Sequence, residues 1–361
     1  MARVASMLRA PATTSACRVE LSSTLGAWAE PWDDLVLQAP IPSPFLRSWW
    51  LGAIETPRSR YLLIIDGTVL IGGLALEAER RFGVTWYRLA GAGRLCPDHL
   101  DLLAVPEHRS AVVAAVRGWF TERGARLLDA NGVVADSSLA AALPRAARQR
   151  IDLAPYEPLT SADDYARQRS ASFRRNVKRR AKHLSETGVR LLAPEDVDPA
   201  DALDAFEALH SVRADRAELM SVWQRLRRAL AAGADRGDVQ FHVARTADSV
   251  VAVAVCFLVG GRLSFYQNAR NLDPRFSGVG TVLDYDAIRA AADAGVREVD
   301  LLRGDEDYKR RFVSHQRDLY RLTAAHGARG WALRIGLVTL RRGARARHRL
   351  RQVREPRSAR T

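Results

Sequence analysis

The order of apolar patterns in this chain occurs twice, and that repeat limits the available folds more than any single motif does. In the first half, alternating stretches suited to strands run over Arg60–Ile65, Val69–Glu77 and Val84–Leu89, split by Asp66-Gly67 and by Arg80–Gly83. In the second half they run over Val239–Arg245, Val250–Val259 and Leu263–Ala269, split by Ala247–Ser249 and by Gly260-Gly261. A period of two sends successive side chains to opposite faces of a sheet, so each trio reads as an antiparallel meander. A loop, an amphipathic helix and another strand follow each meander. Gly124 and Gly295 sit alike at these helix-to-strand junctions, where a helix C′ glycine belongs, and Asp129 and Asp300 occupy equivalent strand positions. Helical patterns precede the meanders at Pro44–Glu55, Ala200–Arg216 and Leu219–Ala232. The expected fold is α/β (α+β) and tandem: two sheets, each mixed and mostly antiparallel, flanked by helices.

A chain of 361 residues, 47% hydrophobic, has room for two cores of ordinary size. The expected division is 1–155, 156–335 and a basic, disordered tail over 336–361. No apolar run approaches the ~18 residues needed to span a bilayer; Trp331–Leu340 comes nearest and contains Arg334. Arg3, Arg9 and Arg18 break up the first twenty residues, which makes a poor secretory signal. Cys17, Cys96 and Cys256, odd in number and widely spaced, suit neither a disulfide framework nor a zinc site. The expectation is a reduced, cytoplasmic protein without a metal. No serine stands in a Gly-x-Ser-x-Gly elbow, so a hydrolase has no support.

The net charge of +14 is concentrated in two places. Residues 167–190 hold nine Lys/Arg and one acid, and residues 341–361 likewise, so the rest is near neutral. The first stretch places Phe173, Val177, Ala181 and Leu184 on one stripe of a helix expected over Asp163–Thr187, with Arg174, Arg175, Lys178, Arg179 and Lys182 around it. Such a helix is often only well solvated. Its cation density also suits a docked polyanion, a tRNA acceptor stem or an anionic lipid surface. The arginine-rich tail suits an anionic membrane face, which would place the protein on the inner side of the membrane.

The motif that points to chemistry is Arg275-Phe276-Ser277-Gly278-Val279-Gly280, between the strand ending at Ala269 and a helix expected over Val282–Ala294. Closely spaced glycines let the backbone approach a ligand, and the helix start offers free N–H groups to an anion. Strand, Arg-x-x-Gly-x-Gly, helix therefore reads as a diphosphate cradle. The corresponding first-half loop, Gly91 to Leu100, carries its Gly-x-Gly away from a helix mouth, with Pro97 intervening. The second half is expected to bind the cofactor, and the first half to be a degenerate copy shaping the acceptor cleft.

The segment Ser172–Arg180, the strand Phe265-Tyr266-Gln267-Asn268, the cradle, and Asp300–Phe312 with its Leu-Arg-Gly-Asp and Tyr-Lys carry a resemblance over roughly residues 165–325. They resemble the GCN5-related N-acetyltransferase (GNAT) superfamily, in its BioF2-like or cellulose-biosynthesis (CelD-type) branch, related in turn to Fem-type aminoacyl transferases. The resemblance implies an N-acyltransferase that moves an acetyl or other acyl group from acetyl-CoA or another acyl-CoA to an amine by direct attack. A small molecule, a glycan or a lipid-linked intermediate could be the acceptor, in polysaccharide or cell-envelope biosynthesis. It also implies a carbonyl polarised by backbone N–H near Tyr266, Gln267 and Asn268, and a diphosphate held by Arg275, Ser277, Gly278, Val279, Gly280 and Thr281. Tyr308 would act as acid toward the leaving thiolate; a tyrosine packed on the sheet is the alternative. Asp305 leads as acceptor base over Asp307, His242 or a water, although a loop acid capping backbone N–H groups is the commoner reason for such a residue. Asp300, Arg303 and Lys309 are the expected substrate contacts, with a structural role for Asp300 as the alternative. Two other functions remain open: a Fem-type tRNA-dependent aminoacyl transferase, and a non-catalytic nucleic-acid- or polyanion-binding protein on the same scaffold.

Overall fold

The computed structural model of the chain describes residues 17–91, 95 and 97–354. Gly93, Cys96 and the tail from 355 lie outside the described residues. The first half runs β1 (Arg18–Ser22), α1 (Ala29–Gln38), α2 (Ser48–Ile54), β2 (Ser59–Asp66), β3 (Val69–Arg81), β4 (Val84–Leu89), β5 (Leu103–Ala104), α3 (Arg109–Thr121), β6 (Ala125–Val134), α4 (Ser138–Ala142) and β7 (Ala147–Pro158). The second half runs α5 (Ala162–Gln168), α6 (Ala171–Glu186), β8 (Arg190–Leu192), α7 (Pro199–Ser211), α8 (Ala217–Met220), α9 (Trp223–Ala234), β9 (Val239–Arg245), β10 (Val250–Val259), β11 (Arg262–Arg270), α10 (Val279–Asp293), β12 (Glu298–Asp300), β13 (His315–His326) and α11 (Gly327–Arg354).

The strands join into one sheet ordered β1-β2-β3-β4-β6-β13-β7-β12-β11-β10-β9-β8, with β5 beside β3. The order is the same read from either end. In each lobe a meander is followed by one parallel pairing, β4 with β6 and β11 with β12, and then an antiparallel strand. That last strand is exchanged. β13, from the end of the chain, completes the first lobe against β6, while β7, from the first half, completes the second lobe against β12. β7 and β13 also pair with each other and close the seam. The expected division at 155/156 therefore falls inside β7, a strand that serves the second lobe.

Side chains from both halves share one core. Phe45 and Trp50 meet Phe257 at ring distances of 5.5 and 5.9 Å, all three fully buried. Arg47 Nε and Trp49 Nε1 both donate to Asp238 Oδ2 at 2.7 Å. A second core belongs to the second lobe alone, where Tyr165, Phe173, Val177 and Leu184 of α5 and α6 pack with Ile288 and Ala291 of α10. The basic stretch is two helices rather than the single one expected over Asp163–Thr187. Arg169 leaves the helical path to meet Glu157 at 3.1 Å and the Phe312 carbonyl at 2.6 Å. Ser170 then caps α6 by accepting from Phe173 N. The tail expected to be disordered from 336 is helical as far as Arg354, and Arg341 is tied to Asp129 of β6 by two guanidinium–carboxylate contacts.

Candidate active site

The two lobes differ in the last strand of the meander. In the first lobe β3 and β4 pair without interruption from Leu76↔Leu89 to Arg81↔Val84. In the second, Val255 pairs with Gln267 and Cys256 with Phe265, so Tyr266 is the extra residue of a bulge in β11. A bulge leaves the ladder locally unpaired and re-aims the chain. Beside it, β11 and β12 pair only over Arg262–Ser264 and Glu298–Asp300, and then part. The chain leaving β12 turns sharply: Leu302 has φ +53°, an uncommon conformation for a residue with a branched side chain, held by Leu302 N donating to Asp300 Oδ1 at 2.7 Å.

A cavity of about 450 Å³ opens in this gap, with Tyr266, Gln267 and Asn268 on its strand wall and Leu302, Arg303, Glu306, Tyr308 and Lys309 on its loop wall. In the first lobe the corresponding gap is filled by that lobe's own loop. Leu100 N donates to the Gly132 carbonyl at 3.0 Å, and a Cβ on Gly132 would lie 2.8 Å from the Pro97 carbonyl. The same loop reaches across to the second lobe, where Asp98 lines the cavity and accepts from Arg303 N at 2.7 Å and Arg303 Nε at 2.5 Å.

Tyr308 stands on the wall, half exposed, with its hydroxyl pushed up to about 12 by burial and by the carboxylates of Asp284 and Glu306. It is therefore protonated at any physiological pH. Arg303 and Lys309 also line the cavity but are occupied: Lys309 Nζ donates to the Arg303 carbonyl at 2.6 Å and meets Glu306 at 2.9 Å. Asp305 does not line it, because its exposed carboxylate is drawn outward to Arg310 Nη2 at 2.5 Å. Asp300 is sealed behind the wall, fully buried, with Arg262 at 2.5 Å, Arg317 at 3.3 Å and His99 Nε2 at 3.5 Å. It does the structural work of an interlobe ion network. His242 is buried in β9 away from the cavity, and burial depresses its pKa to about 4.

Arg275, Ser277, Gly278, Val279, Gly280 and Thr281 lie at the start of α10 and do not form the wall of this cavity. Gly278, at φ +88°, is the residue before the helix, and no side chain caps α10. A Cβ there would lie 2.2 Å from Arg180 Nη1, so the absent side chain leaves space for a guanidinium from α6. His183 Nε2 is 3.2 Å from the Arg275 carbonyl, while the exposed Arg275 turns to Asp273 at 2.9 Å. The uncapped helix end thus faces cations of α6 that sequence reasoning had treated as a separate surface.

Asp284 was missed. It projects from the otherwise apolar face of α10 into the cavity, is 7% exposed, and accepts from Asn268 Nδ2 at 3.0 and 3.1 Å. Burial pushes its carboxyl up to about 7, against the pull of Asn268 and Arg270. A carboxylate among Val282, Leu283, Ala287 and Ile288 was the available signal, since an acid on a buried stripe is rare without a purpose. Among the described residues, no group of three or more His, Cys, Asp or Glu side chains could hold a metal ion.

Residues 171–310 match a family model described as an acetyltransferase (GNAT) domain. No curated protein matches the chain in sequence. FemX superposes with a TM-score of 0.58 at 9% identity, covering 81% of this chain and 95% of that one. The C-terminal domain (DUF2156) of a putative lysylphosphatidylglycerol synthetase from Agrobacterium fabrum gives 0.52 at 11% identity, covering 84% and 92%. L-PGS from Bacillus licheniformis gives 0.51 at 10% identity, covering 87% and 95%. At such identities the shared feature is the fold. The matched stretch, residues 171–310, includes the bulge, the parted strands and the uncapped helix, so this part of the chain is similar to an acetyltransferase (GNAT) domain, and the chain shares its fold with FemX.

Proposed function

We propose that the protein is an N-acyltransferase that takes an acetyl or other acyl group from an acyl-CoA and delivers it to an amine held in the cavity between β11 and β12. The observation that carries this reading is the bulge at Tyr266 beside the parting of those strands, present in the second lobe and not in the first. The residues fit a diphosphate-bearing carrier, because Gly278 leaves space at the uncapped start of α10 and Arg180 supplies a cation there. When bound, the carrier supplies an activated acyl carbonyl and a sulfur leaving group. Backbone N–H groups of the bulge, over Tyr266 to Asn268, polarise the carbonyl; a fixed donor of this kind is worth ~3–4 kcal/mol in a water-poor site. Tyr308 holds its proton near the departing sulfur. Asp98 fixes the Arg303 backbone and side chain, and Lys309 fixes the loop that carries Tyr308. The sequence resemblance supports a setting in polysaccharide or cell-envelope biosynthesis, in the cytoplasm and at the inner membrane face.

A second reading is favoured by a different observation. The chain superposes over most of its length on FemX and on a putative lysylphosphatidylglycerol synthetase, a name that joins an amino acid to an anionic lipid. The donor would then be an aminoacyl-tRNA, with the exposed Arg174, Arg175, Lys178 and Arg179 of α6 along its phosphates. Calorimetry with CoA and with bulk tRNA at two salt concentrations separates the two. The first reading expects saturable CoA binding that is lost in Arg180→Ala. Binding of tRNA alone, falling steeply with salt, overturns it in favour of the second.

A further inference from the structure

The charged groups on the cavity wall do not all cancel. Asp98 is paired with Arg303 at 2.5 Å, and Glu306 with Lys309 at 2.9 Å. Two groups of opposite sign keep hydrogen-bonding capacity that the described residues do not use. Asp284 has an amide partner, Asn268, and among the described residues no cation within ion-pair distance. Asn268 gives its Nδ2 to both Asp284 oxygens, and its own Oδ1 is buried with no hydrogen-bond partner. Carboxylate and amide oxygen together make a cluster of acceptors whose one donor is Asn268 Nδ2 among the described residues. On the other side, Arg216 lines the cavity and its Nε is buried without an acceptor. The carboxylate beside it, Asp215, stands 3.6 Å away, is mostly exposed, and is already engaged by Arg213 at 2.7 Å. A buried donor or acceptor left unmade costs ~1–3 kcal/mol, more when charged, so both ends favour a ligand that completes them.

Building on the acyl-CoA reading, we propose that the acceptor is a small molecule carrying both an amine and an anionic group, with the amine held by Asp284 and Asn268 Oδ1 and the anion by Arg216. An amine without an anionic group would satisfy Asp284 and leave Arg216 Nε without a hydrogen-bond acceptor; an anion without an amine would do the reverse. The cavity, at about 450 Å³, suits a compact head carrying both. Tyr308 lies within the field of both Asp284 and Arg216, so the acceptor nitrogen sits beside the proposed acid.

Proton transfer balances on these side chains. Asp284 takes one proton from the bound ammonium, leaving a free amine whose lone pair forms the new C–N bond as the C–S bond breaks. Tyr308 gives its hydroxyl proton to the sulfur and takes back the second proton lost by nitrogen. Asp284 then returns its proton to water. The groups facing Asp284 are Cys256 of β10, Arg270 of β11, Tyr165 of α5 and Tyr308. Burial raises the thiol and both phenols, which leaves Asp284 as the one among them that titrates near neutrality.

The test uses the full-length protein with acetyl-CoA and reads thiol release. Amino acids are compared with their amides, and phosphoethanolamine with ethanolamine. The acid-bearing amines should show kcat/KM at least tenfold higher, with the two pairs telling a carboxylate from a phosphate. Arg216→Ala should bring the ratio toward one through KM, and Arg216→Lys should restore part of it. Asp284→Asn should lower kcat and flatten the rise of kcat/KM around pH 7, while CoA affinity by calorimetry and the melting profile show that the fold and donor site persist. Equal rates on acid and amide, or a preference that survives Arg216→Ala, overturn the proposal and leave the acyl-CoA reading standing. No thiol release with any of these amines, together with no heat of CoA binding, overturns both.

Discussion

Asp284 carries a thermodynamic signature as well as a chemical one. An aspartate in the unfolded chain ionises near 3.8, and burial pushes this one up to about 7 in the folded protein. Ionisation is therefore the costly event. The cost is absent below about pH 4, where both states are protonated, grows as pH rises, and is complete above about pH 7. At ~1.4 kcal/mol per tenfold difference it amounts to about 4 kcal/mol. Asp284→Asn keeps the shape of the protonated acid and can still accept from Asn268. Its melting temperature should exceed the parent's at pH 8, with the gap closing by pH 4; a variant destabilised equally at both would show that the carboxylate is not strained by burial. Tyr308→Phe should lower turnover with CoA affinity unchanged, and an unaltered rate would remove Tyr308 from the chemistry. Tyr308 was singled out through the resemblance, by its place just past a strand end, and it lines the cavity. Asp284 was not, because an apolar periodicity reads as core and hides the one position that breaks it.

Elements were legible where the signal is local. The meander strands Val239–Arg245 and Val250–Val259 fall where alternation put them, and Val84–Leu89 likewise. Ends defined by capping were harder to read. α10 starts at Val279 rather than Val282 because Gly278 in the left-handed region is its N-cap, and α6 starts afresh because Ser170 caps it. The two cradle glycines, alike in sequence, differ in the fold. At Gly278 a side chain is strained by φ +88° and meets Arg180, whereas at Gly280 the nearest atom to a Cβ is Arg270 Cδ at 4.0 Å. Gly278→Ala should lose stability by ~1 kcal/mol or more and weaken CoA binding as Arg180 is displaced. Gly280→Ala, on a helix with room around it, should keep both within twofold. Calorimetry and thermal melts on the pair decide this, and equal losses at the two positions would mean that the space beside Arg180 does not matter.

The exchange of β7 and β13 was not legible, because alternation says that a strand exists and says nothing about its neighbour. Local patterning sees two consecutive halves; pairing across about 140 to 200 residues makes each lobe depend on the other's last strand. The consequence is that neither half should fold alone. A fragment of residues 156–361 keeps only the end of β7 that pairs with β12 and loses Ala147–Pro155, leaving β13 unpaired over Gln316–Thr323. It also loses Phe45, Trp49 and Trp50 from over Phe257. At ~1.5–3 kcal/mol per large apolar side chain, losing three outweighs much of a typical net stability of ~5–15 kcal/mol. An N-terminal fragment, 1–146, exposes β6 where β13 should lie, and an open apolar edge favours aggregation. Co-expression of 1–146 with 147–361 keeps every strand whole and should yield a soluble one-to-one complex on size exclusion, while each fragment expressed by itself is recovered in the insoluble fraction. A monomeric 156–361 that melts cooperatively and binds CoA would instead show that the seam only joins two independent domains.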